Sequence, residues 1–348
     1  YELDLFGRIR SLSDEALNQY FATEEARKSS RVTLIAETAN LWLQLGADRS
    51  LLAFAKETLD SQEQSYKLSE ASYKAGAINL LELNQAKQMY ASTQASYAST
   101  QRAVAQDLNA LALLVGTEVP ESLLPTKVEV VTLAGMLPQG VPSEVLLNRP
   151  DIAQAEYTLM AANADIGAAR ANFFPRITLV ASGGTGATEL DDLFSGGTRL
   201  WSFSPSISLP IFTGGANWAT LRVSETERDI AVADYEKAIQ TAFREVADAL
   251  ATEGTIEREL KATQDYAEAT KQAYELAQAR YRHGSESFLT VLDSQRQYVS
   301  AQTQLAVAQQ ARAMSLVTLY KVLGGGAVDL DKKSDDKAAQ TAEVKSEA

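Results

Sequence analysis

The chain has 348 residues, 45% hydrophobic and 22% charged, so most of it is expected to be ordered. A net charge of −13 and a pI of about 4.8 argue against a nucleic-acid partner, which would ask for a basic stripe. There is no cysteine, which excludes disulfides, thiolate metal sites and cysteine nucleophiles, and the single histidine, His283, removes most imidazole chemistry. No metal site, cofactor or catalytic constellation is expected.

The first residues alternate, with Tyr1, Leu3 and Leu5 against Glu2 and Asp4, and predict a strand over 1–7. Position 1 is Tyr and no signal peptide is visible, so the natural start, with any targeting signal or lipid-attachment cysteine, is expected upstream. From Ser11 to Ala75 there is no proline and only one glycine, Gly46, which predicts one helix over about 11–75. At about 1.5 Å per residue such a helix is roughly 100 Å long. The string Tyr73-Lys74-Ala75-Gly76 ends it as a basic last turn and a glycine cap, and a second helix follows over about 77–115.

Residues 117–150 concentrate proline, at Pro120, Pro125, Pro138, Pro142 and Pro150, and read as irregular with a few short strands. Arg149-Pro150-Asp151 starts a helix, with Pro at the first position and Asp in the first turn; the helical pattern runs over 151–174. Ile177, Leu179 and Ala181 then alternate with Thr178, Val180 and Ser182, a Gly-rich loop spans Gly183–Arg199, and Ile207, Leu209 and Ile211 alternate with Ser206, Ser208 and Pro210. Alternation of this kind fits a membrane β-barrel, with lipid on one face and water on the other, and equally a half-buried strand of a soluble sheet. Glu2 and Asp4 are expected on the wet face, biasing a lumen toward cations. Gly183-Gly184 and Gly196-Gly197 lack the strand-then-helix context of a phosphate loop.

From Ala216 to His283 the pattern of the first helix returns, with Gly254 as the only glycine, predicting a helix over about 214–282. Tyr281-Arg282-His283-Gly284 closes it, and a second arm follows over about 285–323. Residues 327–348 are rich in Lys, Asp, Glu and Ala, have no aromatic residue, and read as disordered.

The two halves are copies. Shifted by 208 positions, the chain matches itself without gaps over roughly 80 residues: Glu37 falls on Glu245, Tyr66 on Tyr274, Tyr73 on Tyr281, Gly76 on Gly284, Leu111 on Leu319 and Gly116 on Gly324. A period this long is that of a duplicated half-protein, not a solenoid. Each half is therefore expected to form one antiparallel helical hairpin with a long and a shorter arm. The halves differ in charge beyond the turn. Asp293 and Arg296, three apart on one face, match the neutral Gln85 and Gln88, and Arg280 matches Ser72. Taken alone, Asp293 and Arg296 make an ordinary solvated ion pair, and His283 is an exposed helix-end residue. An uncovered soluble coiled-coil scaffold is the competing reading of the long helices.

Several strings resemble one family. Tyr1-Glu2-Leu3-Asp4-Leu5-Phe6-Gly7-Arg8, Asn148-Arg149-Pro150-Asp151-Ile152, Asn172-Phe173-Phe174-Pro175-Arg176-Ile177, Ser204–Phe212 and Val291–Arg296 look like the signature segments of TolC-type outer-membrane efflux factors, in the OprM-like lipoprotein branch that serves tripartite multidrug pumps. The resemblance covers about residues 1–326. It implies a mainly α fold with β, in which helical hairpins form a tunnel and strands form a transmembrane barrel in a homotrimer. The implied organisation is a first repeat over 1–116, an equatorial segment and helix over 117–174, a second strand pair over 175–213, a second hairpin over 214–326 and the tail over 327–348. Measured against the family, one strand of the first pair and the N-terminal helices are expected upstream of Tyr1.

The function implied is an exit duct, not an enzyme, in the outer membrane with its helical part in the periplasm, lipid-anchored through an upstream cysteine. The implied partners are outer-membrane lipid, a periplasmic membrane-fusion adaptor and an inner-membrane RND-type pump. The same resemblance implies a periplasmic gate built by Leu289, Asp293, Arg296, Arg280 and Tyr281, and adaptor docking at the hairpin tips through Tyr73, Gly76, Tyr281 and Gly284. Fractionation separates the two readings: a duct goes with the outer membrane and needs detergent, whereas a scaffold stays in the soluble fraction.

Overall fold

The computed structural model describes residues 1–128, 149–192, 194, 196–197 and 199–325. The tail expected at 327–348, and the strands expected between 129 and 148, lie outside them. Two compact units divide the chain: Tyr1–Ser29 with Ser143–Phe243, and Ser30–Pro142 with Arg244–Ala348.

The first unit holds strands β1 (Glu2–Leu3), β2 (Arg176–Thr185) and β3 (Arg199–Ser208), together with helix α3 (Pro150–Ala171) and the opening turns of α1 (Arg8–Lys74) and α4 (Ala216–Arg282). The strands form one antiparallel sheet in the order β1-β2-β3. Register sorts its side chains by chemistry. Ile177 pairs with Ile207 and Leu3, Ala181 with Phe203 and Gly183 with Trp201, all on one face; Thr178 pairs with Ser206 and Glu2, and Ser182 with Ser202, on the other. The two serine hydroxyls meet at 2.7 Å. Among the described residues nothing in the unit covers the apolar face: Trp201 is 82% exposed and Ile207 70%.

Around the sheet, Phe6 stacks on Phe174 at 4.6 Å and Phe173 meets Trp218 edge-on, which fixes the Phe173-Phe174-Pro175 turn between α3 and β2. At position 167 of α3 an added Cβ would lie 2.5 Å from the Ser11 hydroxyl, so glycine there permits the approach of α1.

The first strand is shorter than its alternation suggests. Asp4, instead of extending the strand, turns back and accepts the backbone N–H groups of Ile9 and Arg10, both at 3.0 Å, satisfying donors that the start of α1 leaves open. Glu2 receives the Arg8 guanidinium at 2.8 and 2.6 Å. Both carboxylates are therefore spent on local structure, which corrects the expectation that they supply free negative charge to a lumen.

The second unit is built from the remainder of α1 and α4 with the two shorter arms α2 (Leu80–Val115) and α5 (Phe288–Val322). Each shorter arm starts three residues later than its pattern predicts, because Asn79 and Ser287 cap it: their side chains accept the N–H groups of Glu82 and Thr290. The arms run antiparallel. Tyr66 stacks on Tyr90 at 5.7 Å, and their equivalents 208 residues on, Tyr274 and Tyr298, stack at 5.9 Å. One ring pair, written twice, sets the register of both hairpins.

Alanine supplies more than half of the buried apolar residues, and small side chains let helix backbones approach closely. Larger side chains gather where α1 meets α5, in a cluster of Ala36, Leu43, Ala313 and Val317 packed with Trp42 and Met314. A second cluster, Leu45, Leu111 and Leu124, joins α1 to α2 and to the segment after it.

Gly46 and Gly254 occupy equivalent positions but different surroundings. A Cβ at 46 would meet the Lys127 carbonyl oxygen at 2.9 Å, whereas nothing lies within 4 Å of one at 254. Gly46→Ala should destabilise the protein by about 1–3 kcal/mol because backbone has to move. Gly254→Ala should stabilise it by up to about 1 kcal/mol through helix propensity. Thermal unfolding of the two variants, side by side, checks the contrast; equal effects would remove the packing role given to Gly46.

Candidate functional site

The two hairpin tips share one backbone design. Gly76 and Gly284 sit at φ 76° and 72°, a left-handed conformation that suits glycine alone. Their N–H groups donate to the Tyr73 and Tyr281 carbonyls, both at 2.9 Å, and the next residues, Ala77 and Ser285, donate to the carbonyls of Ser72 and Arg280. The residues expected to dock an adaptor are thus the ones that make the turns.

Around this shared frame the second tip carries charge that the first lacks. Arg280 approaches Glu286 at 3.6 Å across the turn, and the Ser285 hydroxyl donates to the Arg280 carbonyl. The equivalents of Arg280 and Glu286 are Ser72 and Ile78. Tyr281 packs on Phe288 at 5.3 Å; burial pushes its phenol up, and the Glu82 carboxylate adds to the shift. Leu289 is exposed.

The ion pair expected between Asp293 and Arg296 does not form within the chain. Asp293 instead accepts the Gln297 side-chain amide at 2.8 Å, one turn on. Arg296 has no ion-pair partner among the described residues and lines a cavity of about 450 Å³ between α1, α2 and α5. Of the five expected gate residues, the structure gathers Arg280, Tyr281 and Leu289 about the turn, and sets Asp293 and Arg296 one and two turns along α5.

Sequence reading overlooked a polar line farther from the tips. Gln310 of α5 donates to Gln44 of α1, and Gln44 donates to the Asp48 carboxylate at 3.0 Å. Asp107 of α2 lies beside Asp48; burial, then hydrogen bonding and repulsion from Asp48, push its carboxyl up to about 7. One Asp107 oxygen is buried with no hydrogen-bond partner among the described residues. The signal that marks this pair is the repeat itself, since the equivalents of Asp48 and Asp107 are Ile256 and Ser315, neither of them ionisable.

Two long unequal-armed hairpins from a duplicated chain, and a sheet with one uncovered apolar face, define a TolC-like channel protein. The comparisons with known proteins agree. The family model described as outer membrane efflux protein matches residues 1–117 and 141–325, and the chain belongs to that family. It is 48% identical over 326 residues to the solvent efflux pump outer membrane protein SrpC of Pseudomonas putida, covering 94% of this chain and 69% of the relative. It is 44% identical over 327 residues to the outer membrane protein OprJ of Pseudomonas aeruginosa, covering 94% and 68%. The solved open state of the MtrE outer membrane channel of Neisseria gonorrhoeae superposes with a TM-score of 0.82 at 41% identity, over 94% of this chain and 74% of that one.

The chain is therefore an outer-membrane efflux channel protein, and its family is one of transport channels. No helix among the described residues is long and apolar enough to cross a membrane. The scaffold reading falls with this assignment.

The raised Asp107 gives the protein a measurable pH response. Between about pH 4 and pH 7 the folded chain holds a proton that the unfolded chain releases, so this group's contribution to stability falls as pH rises through that window. Asp107→Asn removes the titration. Its stability, taken from melting followed by helical circular dichroism, should match the parent's near pH 4 and exceed it at pH 8 by about 1–2 kcal/mol after allowance for partial exposure. A difference that does not change with pH would show that the carboxyl pair shares no proton.

Proposed function

We propose that the protein acts as a homotrimeric exit duct of a tripartite efflux pump, its sheets joined in a membrane barrel and its six hairpins forming a tunnel toward the periplasm. The uncovered apolar face of the sheet carries this reading, because side chains such as Trp201, Phe203 and Ile207 need a lipid environment to be stable in that state. Long helices with exposed apolar residues support it too: Val223 and Ile230 are one heptad apart on one face of α4, Phe243 and Leu250 one heptad apart on another, and all four are more than a third exposed, as residues facing neighbouring helices would be. In this reading the tips at Tyr73–Gly76 and Tyr281–Gly284 meet a periplasmic adaptor, which links the duct to an inner-membrane RND-type pump.

The second tip is the gate in this proposal. In a trimer Leu289, Asp293, Arg296, Arg280 and Tyr281 occur three times around one axis. With no acid partner among the described residues, Arg296 is available to Asp293 of a neighbouring copy, and Arg280 holds Glu286. Replacing Arg280 and Arg296 by Ser leaves the carboxylates without cations. Like charges about 6 Å apart at an effective dielectric near 20 repel by roughly 3 kcal/mol before salt screening, enough to shift a closed–open balance of a few kcal/mol. The double variant should show higher single-channel conductance in planar bilayers at low salt, with trimer stability unchanged. Conductance equal to the parent's would remove these arginines from the gate while leaving the duct itself in place.

A further inference from the structure

The cavity between α1, α2 and α5 lies on the relation between the two halves. Arg296 of α5 and Gln88 of α2 are equivalent positions, as are Ser300 and Ser92, and all four line the same space. At the first of these two pairs the halves differ, one having a guanidinium and the other a neutral amide. Gln295, next to Arg296, is 4% exposed and lines the same cavity. Phe54, Met89, Leu292 and Val299 add apolar surface to the lining.

From this arrangement we infer that the cavity is a binding site for an amphipathic organic anion, its acidic head on Arg296 with the Gln295 and Gln88 amides beside it and its apolar body against Phe54, Met89 and Leu292. A fixed cation with neutral donors at one end selects a single negative charge, since a guanidinium pairs strongly with carboxylate, sulfonate or phosphate oxygens. The apolar surface requires a hydrocarbon or aromatic body, and about 450 Å³ is within the usual size of small-molecule sites. A cation is repelled by Arg296, and a small inorganic anion leaves the apolar surface uncovered. The site begins about two turns along α5 from the second tip and shares Arg296 with the proposed gate, so its test reads binding directly.

The test is direct binding. The trimer in lipid nanodiscs is titrated with 8-anilinonaphthalene-1-sulfonate, whose fluorescence rises on leaving water, with empty nanodiscs subtracted; a naphthalene of the same size bearing trimethylammonium serves as the cationic control. Saturable binding at one site per chain is expected, weakened about tenfold or more by Arg296→Met and by Gln295→Met, with the cationic control weaker than the sulfonate. Ser92→Phe fills the cavity without touching either polar group, and should weaken binding as well. Sulfonate binding that is unchanged in Arg296→Met and Ser92→Phe, both exposed positions that tolerate substitution, would overturn the inference, as would equal binding of the cation. The conductance of Gln295→Met is expected to equal the parent's, so the result is read separately from the gate.

Discussion

The whole structure depends on close contact between very long helices. A helix of 67 residues gains little from propensity, and most helices are stable only where a face is packed. Here the packing face is mostly alanine, which buries little area per residue but brings backbones close and loses no side-chain entropy. Contact is therefore spread thinly over a great length, and the few large side chains act at intervals, as the Tyr66–Tyr90 and Tyr274–Tyr298 stacks and the Leu43 and Leu45 clusters do. The polar exceptions follow from the same thinness. Gln44, Asp48, Gln310 and Gln295 can occupy contact faces because an alanine seam leaves gaps between helices that amides and carboxyls reach.

The sheet obeys a different rule with a similar result. A ribbon whose register sets Ile177, Ile207, Phe203 and Trp201 on one side and Ser182, Ser202 and Ser206 on the other leaves that apolar side uncovered among the described residues of its unit. The serine face satisfies itself through hydroxyl contacts such as Ser182 with Ser202, and water completes it. The apolar face is fit for hydrocarbon, and in the proposed barrel the sheet's two open edges are paired with those of neighbouring copies. One polypeptide thus carries surfaces built for two solvents, and the turn residues Phe173, Phe174 and Pro175, with Phe6 and Trp218, mark the change.

Most of the helical architecture was legible in the residues. Proline-free runs marked the long arms, Gly76 and Gly284 marked the turns, and the 208-residue match joined them into two hairpins before any coordinate was considered. What was not legible shares one cause: it depends on which side chain faces which across separate helices. Asp48 and Asp107 are 59 positions apart, and nothing in either segment alone marks their pairing. Asp293 and Arg296 had the spacing of a helical ion pair, but spacing permits a contact without requiring one; the Gln297 amide lies one turn along the same face and takes the carboxylate. Asp4 had the alternation of a strand residue, and the open N–H groups at the start of α1 gave it a better use. Similarity within the repeat located the shared frame, whereas differences within the repeat, Glu286 against Ile78 and Asp107 against Ser315, held the information about sites.

Fusion of the two halves into one polypeptide has a consequence for symmetry. Six separate half-chains assembled in a ring would be identical, so any residue placed on one hairpin would appear on all six, and a contact that loosened one would loosen every one. Joined in pairs, the hairpins fall into two classes free to diverge. The class running from Ser72 to Ile78 keeps the frame with one basic residue, Lys74, while the class from Arg280 to Glu286 carries Arg280, Arg282 and Glu286. In the proposed trimer the alternate hairpins become a fixed wall and a moving set, and a duct of fixed circumference gains a way to narrow by displacing half of its staves.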